Sequence, residues 1–592
     1  MANNYSIPGV TFNINDLGNV LSVPSRVGLC IVGPTVSGKP YIPTVVSTYS
    51  EYLTKFGAGF ISGGSSYEYF TSLAAYNYFL NGGNSVLVVR VASGSFTPAT
   101  ASIWVSGSTP SSNFTSFVLE TLDVGNKMNN DGVVLSNGSL AYGRSWNIRW
   151  EIANVDYNRG VFTLNIRRGD DSDNNKNILE SFQNVSLDPN STNYIEYVIG
   201  NQTQVLNYDP NSGWYVQTVG LYPNKSQYVR VSAVYEKTPN YLSNDGTPAI
   251  NTIQGDPLYG SSFSASLPQV GSGSYGGAFG GAMGDDTPYV GNTLYQNDND
   301  PLFPQGVPVN NYLTASYILQ NQDLYTFDIL TTPGLFYSLH SVVGDFLALA
   351  ESRGDFYYIV DMVPYSSTVL SCANATAGID NYFAATYFPG GYMVSPVTGH
   401  TVWTPPSVFV PSAFSYTDKV YYSWFSPSGI ERGGLNGVVD LERKLNSNDL
   451  ATLYDNRVNP IRYIRGYNFP IIWGQKNLKL VPTTSGLDRI NVVRLILNLQ
   501  EFITNIAQSL VFGPNTTETR NYFVNKVTPY MESVAQRQGL YKFQIVMDDS
   551  NNPGELIDRG IMQGTIWIQA VKEAEQIRIS FNVTSTGVDF SM

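Results

Sequence analysis

YDNRVNPIRYIRGYNFPIIW, residues 454–473, is the stretch that decides how this chain is read. It holds an apolar Asn459-Pro460 turn, three arginines (Arg457, Arg462 and Arg465), Gly466 and a Pro-Ile-Ile-Trp strand ending at Trp473. No side chain in it is suited to catalysis. Trp473 reads as core packing. An apolar helix pattern follows, and alternating strands run from there to the last residue.

Downstream, Leu495, Leu499, Phe502, Ile506 and Leu510 share one face of a helix expected over 491–512. A second helix over 519–538 is expected to break or kink at Pro529. Phe543, Ile545 and Met547 alternate, as do Ile566 and Ile568. Ile577, Ile579, Phe581 and Val583 form a last strand, and Val588 and Phe590 continue it past Gly587. At the other end Val10, Phe12 and Ile14 alternate with polar residues, close to Gly18. Both ends thus read as extended arms with one apolar face. A lone strand is not stable by itself, and unpaired edges recruit strands from other chains. These nine apolar residues are the candidates for strand exchange between subunits, with Gly18 and Gly587 as hinges.

Upstream, GLCIVGPT at 28–35 is a continuous apolar strand of the buried type, followed by a short strand at 41–46. Helices are expected from Ser50 to Gly57 and over 67–80, and SVLVVRV at 85–91 is another buried strand. From 93 to 308 the texture turns rich in Ser, Asn, Gly and Tyr, with antiparallel alternation at 146–151 and 160–167. Residues 270–284 read as a flexible loop or linker. The strand–helix pattern resumes at 323, with a strand and turn in LYTFDILTTPG, a helix over 340–353 and a strand in FYYIVDMVP. The fold class expected is α+β multidomain. An α/β core (23–93 and 309–422) carries a mostly β protruding insertion (94–308). A C-terminal α/β module (423–575) follows, and extended arms close the chain (1–22 and 576–592).

The bulk properties agree with a structural role. The 592 residues imply roughly three to five domains. Charged residues are 13% of the chain, against about 25% ordinarily, and polarity comes from Asn, Ser, Thr, Gly and 41 Tyr. A net charge of −13 argues against a nucleic-acid binder, which needs clustered Lys and Arg. The N-terminus lacks a signal-peptide pattern, and no stretch approaches the length of a membrane span, so assembly in a cytoplasm-like compartment is expected. Two cysteines, Cys30 and Cys372, supply no disulfide framework or zinc cluster.

Motifs that suggest chemistry dissolve on inspection. GPTVSGK at 33–39 has P-loop spacing, but Pro40 stands where Ser or Thr would hold magnesium and a strand follows instead of a helix. GSGSYG at 271–276 matches a dinucleotide fingerprint by chance in low-complexity sequence. Asp171, Asp173 and Asn175 begin like a calcium loop, yet Lys176 replaces the turn glycine and Phe182 the closing glutamate, so a solvated loop is expected. His340 and His400, the two histidines, sit at a helix start and in a loop. No catalytic residue, cofactor site or metal site is assigned.

Read together, the pieces resemble the sheath protein of contractile phage tails. The N-terminal block carries IVGPT, IPTVV, EYLTKFG, FLNGG and VLVVRV. The middle block carries ILTTPG, YYIVDMVP, NYFAATYFPGG, TPPSVFVPSAFSYTD and FSPSGIERGGLNGV. The C-terminal block carries NPIRYIRGYNFPIIWGQKNL, RINVVRLILNLQEFI, LVFGPNT and IDRGIMQG, in the family's order. One departure is FPGGY at 388–392, where the family usually has tryptophan after the proline.

The resemblance implies a structural protein, not an enzyme, that forms hexameric rings stacked helically around a tail tube. It implies shortening and widening of the sheath, driven by energy stored in a metastable lattice, with baseplate and tail terminator proteins as further partners and the virion as location, after assembly in the host cytoplasm. No direct nucleic-acid contact and no membrane insertion are expected. The C-terminal module would face the tube, with Arg489 and Arg494 as candidates for the tube-facing side or for surface ion pairs, and Trp473 as a candidate for the tube-facing side should it not be core. Its sheet would be completed by arms from neighbouring copies, a head-to-tail interface that propagates as a helix. Two alternatives stay open: the sheath of a related contractile injection system (tailocin or type VI-like), and a tail-associated glycan-binding or glycan-cleaving protein.

Overall fold

The structure is a computed structural model that describes residues 26–62, 65–105, 114–130, 134–210, 213–280, 300–480 and 486–575. At its centre lies an eight-stranded sheet. Its strands are β1 (Val27–Gly33), β2 (Thr44–Val46), β3 (Val86–Arg90), β4 (Phe327–Phe336), β5 (Tyr357–Asp361), β6 (Ala384–Phe388), β7 (Val458–Arg462) and β8 (Ile471–Ile472). Their spatial order is β2-β3-β1-β4-β5-β6-β7-β8, parallel except for the outermost strand at each edge. Apolar runs such as VLVVR and AATYF are buried along their whole length, as a parallel sheet covered on both faces requires.

Helices α1 (Tyr49–Phe56), α2 (Phe70–Leu80), α3 (Val342–Arg353) and α4 (Pro406–Val420) cover this sheet, with α2 and α4 packed on each other. Thr48 caps α1 by accepting from Glu51 N at 3.1 Å. Helix α2 begins three residues later than the sequence pattern suggests, because Ser65–Tyr67 pairs with Phe60–Ser62 as a short hairpin. The buried carboxylate of Asp361, at the end of β5, accepts from Ser407 N at 3.0 Å and Ser407 Oγ at 2.5 Å, so it holds the first turn of α4. At the departure noted above, a side chain on Gly390 would come within 2.6 Å of Trp403 Nε1, so the tryptophan ring itself demands glycine there.

Between β3 and β4 the chain builds a separate β sandwich. One four-stranded sheet contains Ile148–Asp156, Val161–Arg168, Ile178–Ser186 and Gly271–Gly273, and the other Phe96–Trp104, Thr115–Val124, Val229–Val234 and Phe279–Gly280. Their inner faces share one core, in which Phe117 and Phe162 stack at 5.7 Å. The segment expected as a linker from 270 is therefore part of the sandwich as far as residue 280. Gly273 permits this, since a Cβ there would meet the Trp150 ring at 2.6 Å. Residues 281–284 of that segment lie outside the described residues.

The opening stretch also differs from its reading. Asn459 and Pro460 are not a turn but the middle of β7, in register with Tyr387 and Phe388. The Asn459 side chain makes this workable. It donates to Thr386 O (3.1 Å) and Lys476 O (2.7 Å) and accepts from Lys476 N (2.7 Å). Arg457, at φ 63°, reaches the carbonyls of Ile379, Leu478 and Thr376 at 2.6, 2.6 and 2.7 Å. Trp473 is 42% exposed, with the Arg462 guanidinium 5.7 Å from its ring, so it is a surface stack and not core. The main sheet thus takes two strands from the span that the sequence reading gives to the C-terminal module.

Candidate assembly interface

The C-terminal module is built on α5 (Ile490–Gln508) and α6 (Thr517–Gln536), with the hairpin β9 (Leu540–Val546) and β10 (Thr565–Ala570). Helix α5 joins two cores. Ile490 and Val493 belong to the central one, whereas Leu495, Leu499 and Ile506 pack with Phe523, Val527, Met531 and Leu540 in a second. Phe502 and Tyr530 stack between the helices at 3.8 Å. Helix α6 runs through Pro529. That residue and Asn525, whose carbonyl loses its partner, both face solvent, so water replaces the missing bond and the helix is not broken.

β9 and β10 pair with each other from Leu540↔Ala570 to Val546↔Thr565, and with no other strand among the described residues. Both outer edges therefore present unpaired backbone N–H and C=O groups. A two-stranded sheet is marginal alone; here one face rests on α6. Tyr541 and Trp567 stand 65% and 66% exposed beside these edges. The α5–α6 connection leaves Phe512 wholly exposed at φ 67°. A phenylalanine held at positive φ and turned into water stabilises nothing within the subunit.

Where the chain enters and leaves the described region, it is ionically anchored. Arg26 donates to the carbonyls of Phe327 (2.6 Å) and Asp355 (2.7 Å), and pairs with Asp328 (3.1 Å) and with Glu501 of α5 (3.7 Å). At the other end Glu573 accepts from Ser426 N (3.0 Å) and Arg432 (3.1 Å). Glu575 accepts from Arg489 Nε (2.5 Å) and Nη2 (3.1 Å), Gln475 (3.0 Å) and the Tyr454 hydroxyl (2.6 Å). Burial pushes the Glu575 carboxyl up, but the bonds from Tyr454 and Arg489 outweigh it and hold the group below the ordinary glutamate range. Asp328, Asp418 and Glu501 are shifted the other way, by burial first.

These shifts have opposite consequences. A carboxyl depressed by folding stabilises above its unfolded value, and that contribution is lost as pH falls through the folded one. Carboxyls raised by folding contribute most at low pH. Acidification below about pH 4 is therefore expected to release the C-terminal root and spare the N-terminal one. Hydrogen exchange, corrected for intrinsic rates, should lose protection at residues 571–575 and keep it at 26–33. Protection of 571–575 persisting at about pH 3 would count against this anchoring.

Of the residues singled out for strand exchange, Val10, Phe12, Ile14, Ile577, Ile579, Phe581, Val583, Val588 and Phe590 lie outside the described residues, as do Gly18 and Gly587. Arg489 is the N-cap residue of α5 and, through Glu575, holds the last of the described residues. Arg494 is 5% exposed; it pairs with Asp418 of α4 at 2.6 Å and lies 4.9 Å from the Phe414 ring, so its guanidinium is engaged inside the subunit. Sequence reading missed Arg26, Glu573 and Glu575. Their one visible signal is position, a charge just inside each segment that the sequence pattern marks as an arm.

The motifs with chemical spacing have structural partners instead. Gly38 N, which a phosphate would need, donates to Asp123 Oδ1 at 3.2 Å, and Lys39 donates to Thr203 Oγ1 at 3.0 Å. Asp171 is buried between Arg167 and Arg149. His340 is buried, accepting from Phe336 N at Nδ1 (2.8 Å) with Nε2 3.1 Å from Asp300 O; burial lowers its affinity for a proton and keeps it neutral. Among the described residues no group of three or more His, Cys, Asp or Glu is placed to hold a metal ion, and no helix is long and apolar enough to cross a membrane.

No family model matches the chain. It is 31% identical to the tail sheath protein of Vibrio phage KVP40 over 229 residues, 38% of this chain and 34% of that one. Over 188 residues it is 30% identical to the tail sheath protein of Enterobacteria phage T4, covering 32% and 28%. The chain thus covers no more than 34% of the length of the curated relatives it matches. Among solved structures, the sheath tail protein from Listeria innocua aligns over 93% of this chain and 96% of that one, at 11% identity and a TM-score of 0.49. The contracted PVC sheath complex of an extracellular contractile injection system aligns over 48% and 77%, at 18% identity and 0.40. The sequence matches bear out the resemblance to contractile phage tail sheath proteins.

Proposed function

We propose that this relative of the contractile phage tail sheath proteins is the structural subunit of such a sheath. It polymerises as stacked hexameric rings around a tail tube, between baseplate and terminator, and contracts to drive the tube through the host envelope. The observation that carries this reading is the β9–β10 hairpin, open at both edges among the described residues, in a sequence patterned as strands at 10–14 and 577–590. Strands added by neighbouring copies satisfy the edges through main-chain hydrogen bonds. Each donated strand leaves its own subunit at an anchored root, Arg26 on one side and Glu573 with Glu575 on the other.

Such a joint also accounts for contraction without nucleotide hydrolysis. Strand pairing tethers the copies while the attached domains change packing, so the work comes from a lattice assembled in a high-energy state. Asp123, which accepts from Gly38 N of the P-loop-like turn, agrees with this, because a carboxylate there repels phosphate. Negative-stain microscopy of the purified protein is the direct test. Hollow striated cylinders are expected; a protein that stays monomeric at high concentration, with both ends intact, would argue against the reading.

Phe512 gives a sharper point of attack. Phe512→Asp is expected to leave the stability of the isolated subunit unchanged within about 0.5 kcal/mol, because the ring contacts solvent alone. The same change is expected to reduce cylinder formation at least tenfold, as burying an aspartate in a joint costs about 2 kcal/mol or more. Unaltered assembly of the variant would remove Phe512 from the interface.

A further inference from the structure

A cleft of about 850 Å³ runs between the main-sheet core and the inserted sandwich. One wall is the turn at 37–39 with the end of α1. The other consists of sandwich loops and the base of the hairpin that pairs Thr203–Asp209 with Gly213–Val219. Ligand sites favour such seams between domains, at volumes of about 300–1,000 Å³.

Four basic residues line the cleft against one acid, in a chain of net charge −13. Three of the four are neutralised in place. Lys55 pairs with Glu51 at 2.8 Å, Lys127 with Asp123 at 3.1 Å and Arg168 with Asp170 at 2.5 Å. The fourth, Lys39, makes no ion pair among the described residues. Two carboxylates act on it from a distance, and both are committed elsewhere. Glu120 is held by Arg230 Nε and Nη2, each at 2.8 Å. Asp123 is taken by Lys127, Gly38 N and Val124 N. Lys39 Nζ donates to Thr203 Oγ1 at 3.0 Å, which leaves two of its three donors free. Burial lowers its hold on a proton, as expected of an ammonium drawn out of water with no anion beside it.

Amides and one ring complete the lining. The side chains of Gln202, Gln204 and Gln227 make no hydrogen bond among the described residues, while their backbones are fixed. Gln202 N donates to Tyr222 O at 3.2 Å, Gln204 is in register with Thr218, and Gln227 N donates to Glu180 Oε1 at 2.9 Å. Trp146 is 50% exposed, in a loop held by Asn147, whose side chain accepts from Arg144 N at 2.9 Å and donates to Asn129 O at 3.2 Å.

An indole in water, sharing a cleft with free amides and one uncommitted ammonium, suits a carbohydrate. The ring packs on the C–H face of a pyranose, and the amides match hydroxyls, which also both donate and accept. The ammonium calls for a single negative charge. A phosphate monoester would bring close to two beside Asp123, whereas a carboxylate brings one. We propose that this cleft binds an acidic oligosaccharide, with a sugar carboxylate on Lys39 and a pyranose ring on Trp146.

The test uses the full chain and saturation-transfer NMR. Trigalacturonic acid and sialyllactose are the acidic probes, maltotriose and lactose the neutral ones. At least one acidic probe is expected to bind with a Kd on the order of 1 mM. The neutral sugars should bind about tenfold more weakly, for want of one charge-assisted hydrogen bond. Lys39→Gln should erase that preference and leave the neutral affinity unchanged. Trp146→Ala should remove binding of every sugar, and Gln204→Ala should weaken it about threefold. Trp146 and Gln204 are exposed and Lys39→Gln removes an unpaired charge, so melting temperatures should match the parent's. No binding by any probe, or acidic and neutral sugars bound alike, would overturn the proposal. A hexaglutamate peptide or inorganic phosphate that binds as tightly, with dependence on Lys39 and none on Trp146, would mean a general anion site and overturn it as well.

Discussion

Deleting residues 1–20 is expected to yield a folded, soluble subunit that forms no cylinders. The truncation stops short of Arg26, so the bonds to Phe327 O, Asp355 O and Asp328 that seat β1 remain. Only the segment proposed as the donated strand is removed. Restoring a backbone edge gains about 0.5–1.5 kcal/mol per hydrogen bond, and five or so bonds at each joint amount to several kcal/mol repeated at every subunit. No lattice survives that loss. Deleting 577–592 is expected to act alike, because Glu573 and Glu575 stay clamped by Arg432 and Arg489. Microscopy and sedimentation read assembly, and the melting temperature reads folding. Normal cylinders from either truncation would refute strand exchange through that arm.

Asp171→Ala is expected to unfold the inserted sandwich while the central sheet stays intact. Arg149 and Arg167 are wholly buried, and Asp171 pairs with them at 3.3 and 2.7 Å. It also accepts from Asn177 N at 2.9 Å. Removing one partner of a buried ion pair leaves a charge without compensation and costs about 3–5 kcal/mol. Arg167 keeps Asp173 and Glu151 at 3.1 and 3.5 Å, so Arg149 bears most of the damage. Asp171→Asn retains part of the hydrogen bonding and should lose less. The sandwich core is distinct from the core around the main sheet, so a lower transition should separate from an unchanged upper one in calorimetry. A change below about 1 kcal/mol would contradict this account.

The same carboxylate shows where local reading stops. In sequence, Asp171, Asp173 and Asn175 look like a solvated loop, because nothing nearby announces that Arg149 points at them across the sheet. Asn459 and Pro460 are a parallel case. A turn is the ordinary reading of that dipeptide, and β7 contradicts it because the Asn459 amide bonds Thr386 and Lys476, distant in sequence. Trp473 looks like core in an apolar tetrapeptide, yet β8 is the last strand of its sheet and leaves the ring outside under Arg462.

Strand and helix types, their order, the excursion into a β insertion and the alternation of both arms were determined by the sequence alone. Each follows from periodicity and side-chain shape, which act over a few residues. Only the tertiary structure decided that Val27 lies beside Phe327 in one sheet, that α5 spans two cores, that no other described strand pairs with β9 or β10, and that Glu573 and Glu575 are held by Arg432 and Arg489. Those outcomes depend on hydrogen bonds and ion pairs between residues far apart in the chain. Proximity of that kind is created by folding and leaves no periodic trace.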